Sequence, residues 1–333
     1  MQGNGVTLAI DVGGSRSRLA LVDNGSIGER VERATAELVG LDGTITTGLA
    51  ALARRLHDSA GLPRLPAIGV GMAAAVDSAG IVLQARDFGI PRGPFIRDVL
   101  AETFGVPVLV ENDANLAALA EHRLGAAQGE ANAAVITLGT NIGLGLILGG
   151  RIHRGARGAA GEIGLLLVPA ADADQQPGEG RLVDAGPLGR TVSRAPAGYA
   201  WIEELVGGGA LAAAAGEAHP RVFAPAALSD PAIHKLSERA IEGWAMAIAD
   251  LAVMVDPGVV VLTGGVATDA APLLNVLRRR VAELAGFPLE IRLGSLGPDA
   301  ELLGADLLAR AFLDGGTADA RAGLSAQSVG GLR

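Results

Sequence analysis

The chain is expected to fold as an α/β protein of two domains, on three observations. Short apolar runs alternate with segments of helical apolar spacing, which implies sheets layered with helices. A glycine-interrupted pair of apolar runs occurs twice, at Thr7–Val22 (TLAIDVGGSRSRLALV) and Ala133–Leu148 (AAVITLGTNIGLGLIL), which implies a duplicated unit. At 333 residues the chain is long enough for two substantial cores.

Thr7–Ile10 and Arg18–Val22 read as strands joined by the bend Asp11–Ser15 (DVGGS), and Asp23, Asn24 and Gly25 form a turn signal. Leu41–Leu56 carries apolar residues at helical spacing (Leu41, Ile45, Leu49, Leu52, Leu56), and Gly61 is a plausible stop. Ala67–Met72 and Val106–Val110 are short apolar strands on either side of a helix at Ile96–Phe104. Val110 leads into Glu111–Asn115 (ENDAN) and a helix at Leu116–Leu124, closed by Gly125. The pattern restarts at Ala133, with the bend Thr137–Asn141 (TLGTN) between its two runs. Pro169–Gly189 is rich in Gly, Pro and Asp and reads as a long surface loop. Helices are expected at Ala210–Ala218 and Ser237–Val255. The run Val259–Leu262 meets Thr263, Gly264 and Gly265 before a helix at Ala271–Leu284. Leu302–Leu313 is a last amphipathic helix, and Ala318–Arg333 is expected to be a mobile tail. The domain break falls just after Val110–Asn115. Residues 1–114 form a smaller N-terminal domain, joined by the helix 302–313 crossing back; residues 115–300 form a larger one, and 314–333 the tail.

Apolar residues make up 49% of the chain but aromatics only 3%, so the cores must be built from Ala, Val, Leu and Ile. A net charge of −9 argues against nucleic acid as a partner. The absence of cysteine excludes disulfides and thiolate metal sites. The N-terminal residues lack the basic and apolar regions of a secretory signal. The most apolar helix candidate, Trp244–Val255, falls short of the ~20 residues a membrane span needs. A soluble, cytoplasmic protein that engages neither membrane nor nucleic acid is expected.

Each bend places backbone N–H groups and small hydroxyls where a phosphate can approach without meeting a Cβ. In the first, Gly13, Gly14, Ser15 and Arg16 are candidate donors, and Asp11 can reach a phosphate through Mg²⁺ or its waters. In the second, Gly139 and Thr140 take the same part. A single such bend serves equally well as a plain strand-to-strand turn; the second copy favours a nucleotide held between the two. Asn112 and Asp113 follow a buried strand and open a helix. They suit an N-cap, and Asp113 equally suits a general base at a strand's C-terminal end. Gly264 and Gly265 give flat backbone for an adenine or ribose, or a helix start with no ligand. Glu162 lies among small and apolar neighbours, unusual for a carboxylate without a partner. The five histidines show no metal-ligand spacing.

Taken in order, these segments resemble the ROK family (repressor, open reading frame, kinase) over about residues 6–313. DVGGSRSRLALVD is similar to its first phosphate loop and ENDANLAALAE to its catalytic segment. TLGTNIGLGLILGGRIHRGARGAAGEIG is similar to its second phosphate loop and sugar-binding stretch, and VVVLTGGVA to its adenosine segment. The resemblance implies two actin-like (ribonuclease H-like) α/β domains closing over ATP and a sugar, often as a homodimer. It further implies that Asp113 accepts the proton of a sugar hydroxyl, usually the 6-OH, as this attacks the γ-phosphate. Asn112 and Glu162 would bind other sugar hydroxyls, with Gly71 beside them, and Mg²⁺ would bridge the phosphates near Asp11.

The chain also departs from the family pattern. Leu165 stands where a histidine is usual, and Pro169–Ala185 lacks the cysteines of the family's zinc loop, so no structural zinc is expected. Asp184 stands roughly where that loop supplies a sugar-binding Glu, and Asp87 falls where relatives carry an Asn-Leu pair. Asn141 and Leu144 replace glycines of the second phosphate loop. Asp87, Asp113, Glu162 and Asp184 together would make an acidic cup suited to a cationic sugar, an amino-hexose such as kanosamine (3-amino-3-deoxyglucose), with glucose the conservative alternative. Two rival readings are a sugar-sensing transcriptional regulator and an inert sugar sensor. The first lacks support in a chain that reaches its first bend soon after Thr7 with an acidic balance, and the second fits poorly with Asp113 beside two phosphate loops.

Overall fold

The structure is a computed structural model and describes residues 5–40, 43–62, 64–85, 93, 95–169, 181–184, 190–193, 195–196, 198–216, 222–223 and 229–315. Strand β1 (Val6–Val12) returns as β2 (Arg16–Asp23), and a tight turn leads into β3 (Ser26–Ala34). Asn24 and Gly25 both have positive φ there, 48° and 77°, the backbone that two-residue hairpin turns require. Helix α1 (Thr46–Ser59), strand β4 (Ile68–Met72) and the hairpin β5 (Ala74–Val76) with β6 (Val82–Ala85) follow. Helix α2 (Phe95–Phe104), strand β7 (Val108–Asn112) and helix α3 (Asp113–Leu124) complete the first half.

The second half opens with β8 (Ala133–Leu138), β9 (Ile142–Leu148) and β10 (Arg151–Ile152). Short strands β11 (Leu167–Pro169), β12 (Arg181–Asp184), β13 (Arg190–Ser193) and β14 (Tyr199–Trp201) come next. Helices α4 (Ile202–Val206), α5 (Gly208–Ala215) and α6 (Pro231–Val255) precede β15 (Val259–Thr263). The chain then forms α7 (Gly265–Asp269), α8 (Leu274–Ala285), β16 (Ile291–Leu293) and α9 (Ala300–Leu313).

Among the described residues two five-stranded sheets share one topology, β3-β2-β1-β4-β7 and β10-β9-β8-β15-β16. In each, three strands run antiparallel as consecutive hairpins and the last two add in parallel. The duplication suggested by the repeated bend is thus a duplication of the whole sheet. Both sheets are covered on both faces, which is why their inner strands are continuous apolar runs. Leu8, Ile10, Leu19 and Val70 pack toward α1 and α2. Ala9, Ala20, Val135 and Val261 face the opposite way, into a layer shared with Leu116 and Leu119 of α3 and Leu302 and Leu308 of α9. Ile136, Leu144 and Val260 pack toward Trp244 and Ile248 of α6 and Leu277 of α8.

The central layer is tight because it is built from small residues. A Cβ at Gly69 of β4 would stand 2.0 Å from the Ala305 carbonyl oxygen, and one at Gly304 would stand 2.1 Å from that of Leu116. α9 therefore crosses β4 and α3 with backbones nearly touching. Thr7 of β1 fixes it there by donating to Asp306 (2.5 Å), whose carboxylate also accepts from Arg310.

Some elements depart from the sequence expectation, each for a physical reason. The helix expected from Leu41 begins at Thr46, after a turn closed by Gly40 N–H to the Thr44 carbonyl with Gly43 at φ 73°. β3 is charged and largely exposed on a sheet edge, so no apolar pattern announces it. α6 starts at Pro231, six residues before the expected Ser237, because the Asp230 carboxylate caps the N–H groups of Ala232 and Ile233 and proline suits the first turn. The helix expected at Ala271–Leu284 is a 3-10 turn at Ala271–Leu273 followed by α8, with α7 a separate helix before it. The expected loop Pro169–Gly189 contains β12, paired antiparallel with β13 through the register Arg181↔Ser193 to Asp184↔Arg190. The expected tail Ala318–Arg333 lies outside the described residues.

Candidate active site

Parallel pairing brings the site together. The register Asp11↔Gly71↔Glu111 sets the ends of β1, β4 and β7 level, and β2 lays Arg18 beside Asp11. Gly71 is a floor: a Cβ there would sit 2.9 Å from Leu116 Cδ1 and 3.6 Å from the Cα of Asp113. Asn112 caps α3, its Oδ1 accepting from the Asn115 N–H (3.0 Å) and its Nδ2 donating to the Ala74 carbonyl (3.1 Å). One amide hydrogen remains for a ligand. Asp113, half-buried in the first turn, accepts from the Ala114 N–H (2.8 Å). Desolvation, reinforced by the carboxylates of Asp11, Glu301 and Glu162 and opposed by that N–H, pushes Asp113 up to about 8.

Asp11 is buried at the end of β1. Arg18 donates to its Oδ2 from both Nε (3.0 Å) and Nη2 (2.7 Å), and the same guanidinium reaches Glu301 (3.1 Å) at the start of α9 and the Pro298 carbonyl in the turn before it. Burial raises the Asp11 carboxyl against the pull of Arg18, and burial beside Asp11 pushes Glu301 up to about 7. Among the described residues, Asp11, Glu301 and Asp113 thus form an acidic cluster with one guanidinium in it. A cluster so short of cations fits Mg²⁺ carried on a triphosphate, with Asp11 Oδ1 free of the Arg18 contacts. Such an ion keeps most of its ligands as water and phosphate and needs few from protein. Among the described residues no group of three His, Cys, Asp or Glu is arranged to hold a metal by itself.

Each bend closes through a glycine N–H, over three residues in the first and two in the second. Gly13 N–H donates to the Arg16 carbonyl (3.0 Å) and Gly139 N–H to that of Asn141 (3.1 Å). Their tips meet, Ser15 Oγ lying 3.1 Å from Thr140 Oγ1. Gly14 lies in the first bend between them. Arg16 turns its exposed guanidinium onto Glu32 of β3, at the rim of an open depression of about 490 Å³ that also touches Ser15. Behind the second bend, the N–H groups of Gly208 and Gly209 at the start of α5 donate to the carbonyls of Gly139 (3.0 Å) and Thr140 (2.9 Å). Gly264, at φ 96°, would bring a Cβ within 2.5 Å of the Leu138 carbonyl oxygen, whereas nothing stands within 4 Å of one at Gly265. Gly265 therefore borders open space.

Glu162 precedes a 3-10 turn at Ile163–Leu165 and is half-buried, close enough to Asp113 to raise it electrostatically. Asp184 ends β12 opposite Arg190; its side chain, and the whole of Asp87, lie outside the described residues.

The sequence reading missed Arg18, Glu301, Arg154 and Glu121. Glu111 is buried, with Oε1 accepting from Asn112 N–H and Asn115 Nδ2 (both 2.9 Å) and Oε2 from Arg154. Glu121, buried on α3, accepts from the N–H groups of Ala126 (2.7 Å), Ser295 (3.2 Å) and Leu296 (3.1 Å). Hairpin pairing about Gly13 and Gly14 sets Arg18 opposite Asp11, a signal present in the sequence. Arg154 as the partner of Glu111, and Ser295 and Leu296 as partners of Glu121, are too distant along the chain to be read there.

The ROK family model matches residues 7–311. The bifunctional enzyme NanE/NanK of Brucella melitensis is 33% identical over 92% of the chain, which spans about half (54%) of that protein's length. A glucokinase of Halalkalibacterium halodurans is 31% identical, over 91% of this chain and 94% of its own. Among solved structures, a ROK hexokinase from Thermus thermophilus has a TM-score of 0.69 at 32% identity, covering 93% of this chain and 100% of its own. A ROK glucokinase from Streptomyces griseus, in complex with glucose and AMPPNP, has a TM-score of 0.72 at 27% identity, covering 92% and 99%. With a family match over residues 7–311 and a 32% identical solved structure covering 93% of it, the chain belongs to the ROK family.

Proposed function

We propose that this protein is a sugar kinase that transfers the γ-phosphoryl group of ATP to the 6-hydroxyl of a hexose. The observation that carries the reading is the position of Asp113. Its carboxylate opens α3 within electrostatic reach of Asp11 from the first bend and of Glu162 from the second half. In this reading the triphosphate lies between the bends, with Gly13, Gly14, Ser15 and Arg16 on one side and Gly139 and Thr140 on the other. Gly264 and Gly265 receive the adenosine, and Asn112, Glu162 and Gly71 shape the sugar side. Residues 1–114 with the returning α9 form one domain and 115–300 the other. Asp11 would hold Mg²⁺ carried on the triphosphate, and that ion would supply neutralising charge.

The residues account for the proton. A phosphoryl transfer has a loose transition state and asks for an oriented hydroxyl more than an early deprotonation. A carboxylate raised to about 8 is a stronger base than an ordinary one, and the ionised fraction, about a tenth at pH 7, is the form that accepts the proton. The cap made by Asn112 and the Ala114 N–H holds it at the head of α3.

Within the hexoses, the proposed acceptor carries a free amine, kanosamine being one candidate. Carboxylates dominate around Asp113, and a buried ammonium needs such partners. ADP release measured with glucose, N-acetylmannosamine and kanosamine tests both levels. No hexose-dependent release sinks the kinase reading; a higher kcat/KM for glucose than for kanosamine sinks the amino-sugar reading alone.

A further inference from the structure

The loop that carries Glu162 belongs to the second sheet, yet its anchor lies in the first. Arg154 follows β10 and sends its guanidinium to Glu111 at the end of β7, two residues before Asp113. The other oxygen of Glu111 holds the Asn112 N–H and the Asn115 side chain, so one carboxylate serves the cap of α3 and the loop at once. The Arg154 carbonyl also accepts from the Ala160 N–H (3.0 Å), closing the loop two residues short of Glu162. The closed loop is seated at two further points. A Cβ at Gly158 would stand 2.4 Å from the Val76 carbonyl oxygen, and one at Gly161 would stand 2.0 Å from that of Leu144. Among the described residues these three contacts hold residues 154–162 between the halves, and of the three the one through Arg154 reaches the strand that delivers Asp113.

We infer that Arg154 is a positioning residue for the acceptor: through Glu111 it sets the distance between Glu162 and Asp113, and so the place where a sugar hydroxyl meets its base. The pair is nearly dry, the side chains of Glu111 and Arg154 being 1% and 12% exposed. Burying two charges carries a large desolvation cost, which their attraction does little more than offset. Stability alone therefore gives such a pair little reason to be there, whereas registration of two elements does. The consequence is selective. Loosening the tie disturbs the sugar side, because the phosphate bends close through their own backbone bonds and through α5.

The inference rests on the kinase reading, and the test separates the two. Arg154→Met leaves Glu111 charged and unpaired, which can unfold the protein, so the decisive variant is the double Glu111→Gln with Arg154→Met, where both charges leave together. Steady-state kinetics use whichever of glucose and kanosamine the unmodified protein turns over better, with thermal melting and AMPPNP binding measured alongside. The double variant is expected to melt within a few degrees of the unmodified protein and to keep its AMPPNP affinity. Its KM for the sugar should rise by about tenfold or more, with little change in KM for ATP. Arg154→Lys should recover part of the sugar KM. A sugar KM within twofold of the unmodified protein, or equal rises for sugar and ATP, overturns the inference. An unmodified protein without hexose-dependent ADP release overturns the kinase reading, and the inference with it.

Discussion

The hydroxyls of Ser15 and Thr140 stand 3.1 Å apart, although 125 residues separate them in the chain. Each is the tip of a bend in its own sheet, and the two sheets share one strand order. Their meeting defines the line along which the halves would have to part to admit a triphosphate.

Because the chain has no cysteine, that line can be locked. Ser15→Cys with Thr140→Cys puts two thiols at a separation a disulfide can bridge after a small shift. The oxidised double variant is expected to lose ADP-releasing activity and to regain it on reduction. Full turnover in the oxidised form would show that phosphate does not pass between the bends.

The elevated Asp113 makes stability depend on pH in a known direction. Between its ordinary 3.8 and about 8 the folded protein keeps a proton that the unfolded chain has released. This contribution therefore falls as pH rises through that window and levels off above it. Asp113→Asn removes the effect, so its melting temperature should gain on that of the unmodified protein between about pH 5 and pH 8. Parallel melting curves across that range would show that Asp113 is not raised.

Gly304 tests the packing of α9. Alanine there gains up to ~1 kcal/mol in helix propensity, but its Cβ meets the backbone carbonyl of Leu116 at 2.1 Å. The clash outweighs that gain, since overpacking against backbone costs about 1–3 kcal/mol. Gly304→Ala should lower the unfolding free energy measured in urea; a gain would mean that α9 and α3 are not in contact there.

Metal dependence separates two ions. Turnover is expected to stop with EDTA and return with Mg²⁺, and to be unaffected by a zinc-selective chelator. Loss with that chelator, restored by zinc, would contradict the reading of the cysteine-free segment 169–185.

Much of the fold was legible because buried strands write themselves as apolar runs. Val259–Leu262 and both hairpins stand where the sequence puts them. β3 was not legible, since its hydrogen bonds are backbone and its side chains face water. At the site, the residues on the bends and at the head of α3 could be read from local chemistry. Arg18 could have been found by pairing the hairpin; Arg154 and Glu301 could not, because their partners lie 43 and 283 residues away. Glu121 hides among the apolar residues of α3, and most of its donors are main-chain groups that leave no trace in residue type.

The most direct measurement is the turnover of Asp113→Asn with the preferred hexose, alongside calorimetric binding of that hexose. The substitution keeps the shape and removes the base, so kcat should fall by about 10²–10⁴-fold while sugar affinity stays near that of the unmodified protein. A kcat within a few-fold of the unmodified protein would mean that this carboxylate only ends a helix, and that the chemistry lies elsewhere.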